Sequence, residues 1–172
     1  ITDPISMLKP INSPIDIAAS LSTLSLVRLH TGDADGARQD EEEAVTIFRS
    51  IENRIGEAIG LLHLGQIHFY LEDDAQAHVY FEQCLKIARE IEYREIEREA
   101  ELLLGESLLA SADLPGACAR FTRSLDVCRQ AEDKRGEASA LWWLGKWDLQ
   151  SGDLGGARVR LNGALRAFQA FE

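Results

Sequence analysis

The chain has 172 residues, of which 45% are hydrophobic and 27% charged, and its formal net charge is −11. This is the composition of a folded globular domain and excludes a disordered chain. An acidic sequence without a basic stripe is a poor match for the phosphate backbone of nucleic acids. No apolar run approaches the roughly 20 residues of a membrane span, and no signal-peptide pattern opens the chain. We therefore expect a cytoplasmic protein with no direct nucleic-acid or membrane contact.

Residues 1–14 differ in composition from the rest of the chain. Pro4 and Pro10 predict extended backbone, so we interpret this segment as a proline-containing leader, with a proline-rich docking motif as the alternative. The sequence then provides a helix start, with Ser13 as cap, Pro14 in the first turn and Asp16 at the third position. The folded domain is therefore expected at residues 15–172.

A period of 40 residues runs through that domain. Leu-Gly occurs at 64–65, 104–105 and 144–145, and Leu24-Ser25 stands one step earlier. Four further columns keep the same register: Asp33, Asp73, Asp113 and Asp153; Ala37, Ala77, Ala117 and Ala157; Val45, Leu85, Leu125 and Leu165; Arg49, Arg89, Arg129 and Gln169. So many columns at one spacing indicate an internal repeat. The predicted units are about 15–54, 55–94, 95–134 and 135–172.

Each unit has the pattern of two helices. The first is apolar almost all round, which is typical of a helix packed on several sides, whereas the second has apolar residues on one face. The aspartate column predicts caps for the second helices, and Gly32 and Gly152 predict left-handed ends of first helices. Between the second and third units we place a turn at Tyr93–Glu95. The prediction is an all-α stack of four antiparallel hairpins, about eight helices.

These columns resemble the tetratricopeptide repeat. The last unit carries the family's signature as Leu144-Gly145, Gly152-Asp153, Ala157 and Ala164-Leu165. The resemblance covers about residues 15–172 and implies a right-handed α-α superhelix, or solenoid. Two features depart from the usual unit of about 34 residues: the period is 40, with arginine or glutamine in place of a proline, and Glu41 replaces an aromatic residue.

Long units of this kind resemble those of bacterial LuxR-type regulators related to the maltose activator, and those of nucleotide cyclases with repeat tails. The resemblance implies a role in signal transduction or transcription regulation. It also implies a concave groove lined by the first helix of each unit. The residues that this assigns to the groove are His63, Gln66, Tyr70, Glu99, Glu106, Ser139, Trp143, Lys146 and Gln150.

The predicted groove lacks the cation-rich clamp that some family members use for a terminal carboxylate. Lys146 is the one cation at the clamp positions, and Glu99 and Glu106 would repel a carboxylate. We therefore expect a protein or peptide partner that is basic or neutral. An apolar column beside the groove is assigned to the core: Leu29, Phe69, Leu109 and Leu149.

All three tryptophans fall on one predicted helix. Trp143 and Trp147 are i, i+4 neighbours, whereas Trp142 points about 100° away from Trp143. Two interpretations remain open. In the first, the tryptophans form an aromatic anchor for a ligand. In the second, they pack against a further repeat, because a stacked array needs a polar capping helix at its end. An uncapped C-terminal repeat would also be a surface for homo-oligomerisation.

Motifs for catalysis, metals and cofactors are missing from the sequence. Cys84, Cys118 and Cys128 are widely spaced and are interpreted as small buried hydrophobes, and His63 and His68 lack metal-pair spacing. No phosphate loop, nucleophile elbow or HExxH is present. We predict no catalytic residue, no metal and no cofactor. The predicted function is partner binding within a larger bacterial regulator; the alternative is small-molecule effector sensing in the same groove.

Overall fold

The structure is a computed structural model that describes residues 13–170. Those residues form eight α-helices without a strand. The helices are α1 (Pro14–His30), α2 (Ala34–Ser50), α3 (Arg54–Tyr70), α4 (Asp74–Glu90), α5 (Arg94–Ala110), α6 (Leu114–Gln130), α7 (Lys134–Ser151) and α8 (Leu154–Gln169). The leader predicted at residues 1–14 lies outside the described residues, except for its last two positions. No helix between residues 13 and 170 is long and apolar enough to cross a membrane.

The regularity of the helices accounts for the 40-residue period. Each of the helices α1 to α6 has 17 residues, and turns of two or three residues separate successive helices. The side chains of the aspartate column accept hydrogen bonds from backbone N–H groups of the second helices, which confirms the predicted caps: Asp33, Asp73, Asp113 and Asp153. These caps satisfy donors that have no partner inside the helix.

Every turn contains a left-handed residue. Gly32 and Gly152 have φ of 87° and 89°, which confirms their predicted role. The remaining turns place glutamate or alanine at φ between 54° and 64°, although a left-handed conformation is sterically unfavourable for these residues. One of them is Glu92, so the turn before α5 lies at Ile91–Tyr93 and not at the predicted Tyr93–Glu95. The predicted turn lies two residues too far toward the C-terminus because no glycine marks its true position.

Packing is sequential along the chain. Each helix contacts the next one, and the first helices of the units (α1, α3, α5, α7) also contact one another. The second helices (α2, α4, α6, α8) make no such contacts with each other within residues 13–170. The first helices are therefore closer together and line one continuous surface. This arrangement confirms the predicted all-α solenoid of four hairpins.

The Leu-Gly column allows an aromatic ring to lie against helix backbone. A β-carbon built on Gly65 would lie 2.4 Å from Cε1 of Phe81, and one built on Gly105 would lie 2.4 Å from Cε1 of Phe121. Both phenylalanines are fully buried. The hairpins of the second and third units are therefore closed by the same contact between a second-helix ring and a first-helix glycine.

The arginine column joins successive units. Nε of Arg49 lies 2.8 Å from Glu57, and the equivalent distances are 3.1 Å for Arg89–Glu97 and 3.0 Å for Arg129–Glu137. Each pair crosses the turn from a second helix to the next first helix. The residue that stands in place of the usual proline therefore forms a repeated ion pair between units.

One buried carboxylate occupies a position that is otherwise leucine. Glu101 is fully buried, whereas Leu61 and Leu141 stand at the equivalent positions of the neighbouring units. Arg89 donates a hydrogen bond to it at 2.5 Å and Arg120 donates another at 3.3 Å. Burial raises the pKa of Glu101, and the arginines oppose that rise. The two guanidinium groups thus provide the partners that a buried carboxylate requires.

Candidate partner-binding groove

The first helices present most of the predicted groove residues to solvent. Tyr70, Glu99 and Gln150 are exposed, and Gln66, Glu106, Ser139 and Lys146 are partly buried. The remaining two, His63 and Trp143, point into junctions between units. His63 contacts α2, and Trp143 contacts α6. The apolar column assigned to the core is only partly buried. Leu109 is buried, but Leu149 is exposed because no helix of the described residues packs on that side of it.

Glu106, Trp143 and Lys146 come together between α5 and α7. Nζ of Lys146 lies 4.2 Å from the ring centroid of Trp143 and 4.8 Å from that of Trp142, which is the geometry of a cation–π contact. Burial raises the pKa of Glu106, and the charge of Lys146 partly offsets that rise. We call these four side chains the aromatic site. It combines two indole rings with one cation and one poorly hydrated carboxyl group.

The three tryptophans have different surroundings. Trp143 stacks on Phe121 with ring centroids 5.5 Å apart, and Nε1 of Trp147 donates a hydrogen bond to the carbonyl of Leu114 at 2.7 Å. Both rings therefore pack against the preceding helix, α6. Trp142 is exposed and meets Trp143 edge-on, with ring centroids 4.8 Å apart. The interpretation as packing for a further repeat is thus restricted to Trp142.

A polar cluster that the sequence reasoning missed lies between the first and second units. Glu41 is fully buried where Phe81 and Phe121 stand in the next two units. Ser22 donates a hydrogen bond to its Oε1 at 2.6 Å, and Nδ1 of His63 lies 3.3 Å from the same oxygen. Ser22 donates its hydroxyl proton to Glu41, so its oxygen is left as an acceptor. Nδ1 of His63 therefore faces two acceptors, the oxygens of Ser22 and Glu41, and we assign the ring proton to Nδ1. The departure of Glu41 from the aromatic column is the signal that could have revealed this cluster.

A cavity of about 240 Å³ adjoins that cluster. Its walls are mostly apolar, and its polar groups come from α1 and α3. The lining residues are Ala19, Ser22, Thr23, Leu26, Phe48, Gly56, Ile59 and His63. The cavity is smaller than the roughly 300–1,000 Å³ of pockets for drug-sized ligands. It therefore has room for a small molecule or a single side chain.

The cysteines and acidic residues do not assemble a metal site in the described part of the chain. Between residues 13 and 170 there is no group of three or more His, Cys, Asp or Glu side chains placed to hold a metal ion. Cys84 and Cys128 are buried, and burial raises the pKa of their thiols to about 12 and about 11. Cys118 is partly exposed. Burial keeps the first two thiols protonated and unreactive at neutral pH.

Solved structures with the same fold cover almost the whole chain. BtubC (BKLC) from P. vanneervenii has a TM-score of 0.81 at 18% identity, over 95% of this chain and 68% of its own. Aspartyl phosphate phosphatase F from Bacillus subtilis has a TM-score of 0.86 at 12% identity, over 92% of this chain and 42% of its own. A Rap protein complexed with competence and sporulation factor has a TM-score of 0.79 at 16% identity, over 92% of this chain and 44% of its own. At these identities the likeness concerns the fold alone.

The sequence comparisons match a smaller part of the chain. No curated protein sequence matches the chain. The family model described as the tetratricopeptide repeat matches residues 16–90, which is the segment from α1 to α4. The same columns continue in step through α8, where they form the same helical hairpins. The segment from α1 to α4 therefore matches the tetratricopeptide repeat, and α5 to α8 repeat its columns and its hairpins.

Proposed function

We propose that the chain is a binding module that holds a protein segment in the groove lined by α1, α3, α5 and α7, and that it has no catalysis of its own. The continuous surface of the four first helices supports this proposal, since an extended or helical segment can run across them. One structural neighbour is a Rap protein in complex with a second factor. Another neighbour is named a phosphatase, so the fold by itself does not decide between binding and catalysis.

The aromatic site is the observation that carries the proposal. Indole rings supply large contact areas at low entropic cost, and they are enriched among residues that dominate binding energies. Beside them, the Glu106 carboxyl group is partly buried, and its raised pKa reports poor hydration of the charge. An ammonium or guanidinium group of a partner would pair with this carboxylate. The favoured partner is therefore a segment with a basic residue rather than a free terminal carboxylate.

A random peptide display library tests this proposal. The wild-type chain is expected to enrich peptides that contain lysine or arginine, and Glu106→Gln is expected to remove that charge preference. Trp142→Ala is expected to weaken binding of the enriched peptides by at least about tenfold, as for a contact worth more than about 1.4 kcal/mol. Glu43→Gln, on the exposed side of α2, is the matched control and should bind like the wild type. Equal binding by all four proteins would place the site elsewhere.

The wider context of the module is a separate proposal. We place the chain in a bacterial signalling or transcription regulator that acts in the cytoplasm, on the strength of its 40-residue units. The gene's full reading frame tests this: an adjoining ATPase, cyclase or DNA-binding segment is expected, and an adjoining segment of an unrelated class would contradict it.

The cavity beside His63 favours a second candidate function, the sensing of a small effector. Such a ligand would place an apolar body against Phe48 and Ile59 and a hydrogen-bonding head at His63. In a thermal-shift screen of metabolites, a ligand of this cavity should raise the melting temperature of the wild type. The shift should be absent in His63→Leu, which introduces the residue found at the equivalent position 103. A shift that survives in His63→Leu would exclude this cavity.

A further inference from the structure

Two columns of the repeat change from aromatic to polar at the junction between the first and second units. At the junction between the third and fourth units, Trp143 stacks on Phe121 with ring centroids 5.5 Å apart. His63 and Glu41 stand in these two columns two units earlier, and Nδ1 of His63 lies 3.3 Å from Oε1 of Glu41. Ser22 completes the pair by donating a hydrogen bond to Glu41. A hydrogen-bonded cluster therefore replaces an aromatic stack.

The side chains of this cluster are smaller than their equivalents, and the cavity of about 240 Å³ lies beside them. An imidazole ring takes up less space than an indole, and the column of Ser22 is leucine in the later units. Ser22 and His63 are both walls of the cavity, whereas Glu41 is not. Two further walls, Ala19 and Thr23, are exposed, so an occupant can enter from solvent. We call this cavity the α1–α3 pocket.

The α1–α3 pocket and the aromatic site belong to the same groove. His63 stands in the column of Trp143, and Ile59, another wall of the pocket, stands in the column of Ser139. Helices α1 and α3 contact each other, as do α5 and α7. The two sites are therefore formed in the same way, at junctions that lie two units apart. A segment that runs along the first helices can contact both of them.

The walls of the pocket favour an uncharged occupant with an apolar body. None of the lining residues is Asp, Glu, Lys or Arg, so a charged group would lose its hydration without gaining an opposite charge. Leu26, Phe48 and Ile59 provide apolar surface. A cavity of about 150 Å³ with aliphatic and aromatic walls holds a benzene ring. The α1–α3 pocket is larger than this and therefore has room for an aromatic side chain.

One polar atom of the walls remains available to an occupant. Ser22 donates its hydroxyl proton to Glu41, and Thr23 donates its own to the carbonyl of Ala19 at 2.8 Å. Nδ1 of His63 faces the cluster, and Nε2, on the other edge of the ring, has no hydrogen-bond partner among residues 13–170. A hydroxyl group donates to a bare Nε2 and accepts from a protonated one, whereas an indole N–H can only donate. The occupant that fits is therefore a ring with a hydroxyl group.

We propose that the α1–α3 pocket holds a tyrosine side chain of the segment bound in the groove, with the phenolic oxygen at Nε2 of His63. Glu41 and Ser22 fix the orientation of the imidazole ring through Nδ1. The inference rests on the proposed binding of a protein segment. It adds a second anchor to the basic residue at the aromatic site, so the partner is recognised by two side chains of different chemistry.

Small probes test the pocket without any partner. p-Cresol is the tyrosine side chain as a free molecule, and toluene is that of phenylalanine. In NMR titrations of the protein, the wild type is expected to bind p-cresol about tenfold more tightly than toluene, as for one hydrogen bond. His63→Leu, which introduces the residue found at position 103, is expected to reverse this order because the hydroxyl group loses its partner. His78→Leu, on α4, is the matched control and should behave like the wild type.

The peptide display library provides the second test. Peptides enriched by the wild type are expected to contain a tyrosine in addition to the basic residue, and a change of that tyrosine to phenylalanine should weaken binding about tenfold. His63→Leu should lose the tyrosine preference and keep the charge preference, because the aromatic site lies at another junction. Helical circular dichroism checks that the variants are folded. If His63→Leu unfolds, Ala19→Leu replaces it, since it fills the pocket from an exposed wall and should weaken p-cresol binding.

The outcomes separate this inference from the proposed function. Enriched peptides that have a basic residue but no tyrosine, or that have phenylalanine or tryptophan in its place, would overturn the inference and leave the proposed function standing. Binding of p-cresol without enrichment of any peptide would overturn both, because the pocket would then take a free phenolic molecule. A wild type that binds p-cresol no better than toluene, or binds neither probe, would overturn the hydrogen bond to His63.

Discussion

The contact between Gly65 and Phe81 predicts that a single methyl group destabilises the fold. In an open helix, replacing glycine by alanine stabilises by about 1 kcal/mol. At Gly65 the new β-carbon would lie 2.4 Å from Cε1 and 2.5 Å from Cδ1 of a fully buried ring. Overpacking of this kind costs about 2–3 kcal/mol when the ring cannot move into free space. We therefore expect Gly65→Ala to lose about 1–2 kcal/mol of unfolding free energy.

Gly163→Ala is the matched control, because nothing lies within 4 Å of a β-carbon at that position of α8. It should gain about 1 kcal/mol, so the two variants move in opposite directions. Urea titrations followed by helical circular dichroism measure both changes as shifts of the midpoint at constant slope. Gly105→Ala should repeat the loss, since its β-carbon would meet Phe121. A Gly65→Ala protein as stable as the wild type would refute the packing argument, and a loss in Gly163→Ala would point to a general intolerance of the helices.

The turns, the thiols and the ion pairs each give a further prediction. Ala112 has a φ of 64° in a turn, so Ala112→Gly should raise the free energy of unfolding by about 0.5–1 kcal/mol. Thermal or urea unfolding measures this change, and a loss of stability would contradict the left-handed conformation of Ala112. Since burial raises the pKa of Cys84 and Cys128, native protein should alkylate fast only at Cys118, and the other two should react after unfolding, as peptide mass spectrometry can show. Hydrogen bonds from Arg129 and Lys134 lower the pKa of Glu137 below 4.5, so its stabilisation is present above that pH and is lost as the pH falls through the lowered value. Between about pH 6 and pH 3 the wild type should therefore lose more stability than Glu137→Gln, and parallel pH profiles of the two proteins would refute the pair's contribution.

Much of the fold was predictable because the repeat places the same local chemistry at the same step. The aspartate caps and the two glycines at positive φ are local features that depend on a few neighbouring residues, so they could be located without tertiary information. The turn before α5 was placed two residues late because Glu92 takes up a left-handed conformation without the glycine that would announce it. A local pattern cannot reveal a strained turn that the packing of whole helices imposes.

The groove was predictable only in part. The spacing assigned Glu106, Trp143 and Lys146 to the groove, and the structure brings these three side chains together. It did not separate the groove from the junctions between units, because residues on the same helical stripe differ in depth. His63 and Trp143 therefore contact the preceding second helix, while Tyr70 and Gln150 are open to solvent.

The sequence by itself determined the number of helices, their caps and the hairpin repeat, since these depend on short-range spacing and on columns that recur every 40 residues. The tertiary structure alone decided the partners of the exceptional residues. Glu41 stands in an aromatic column and Glu101 in a leucine column, yet both are fully buried and held by side chains of other helices. Leu24 and Leu165 are exposed while Leu64 and Leu85, in the same columns, are buried, because the burial of a leucine depends on which helix packs against it.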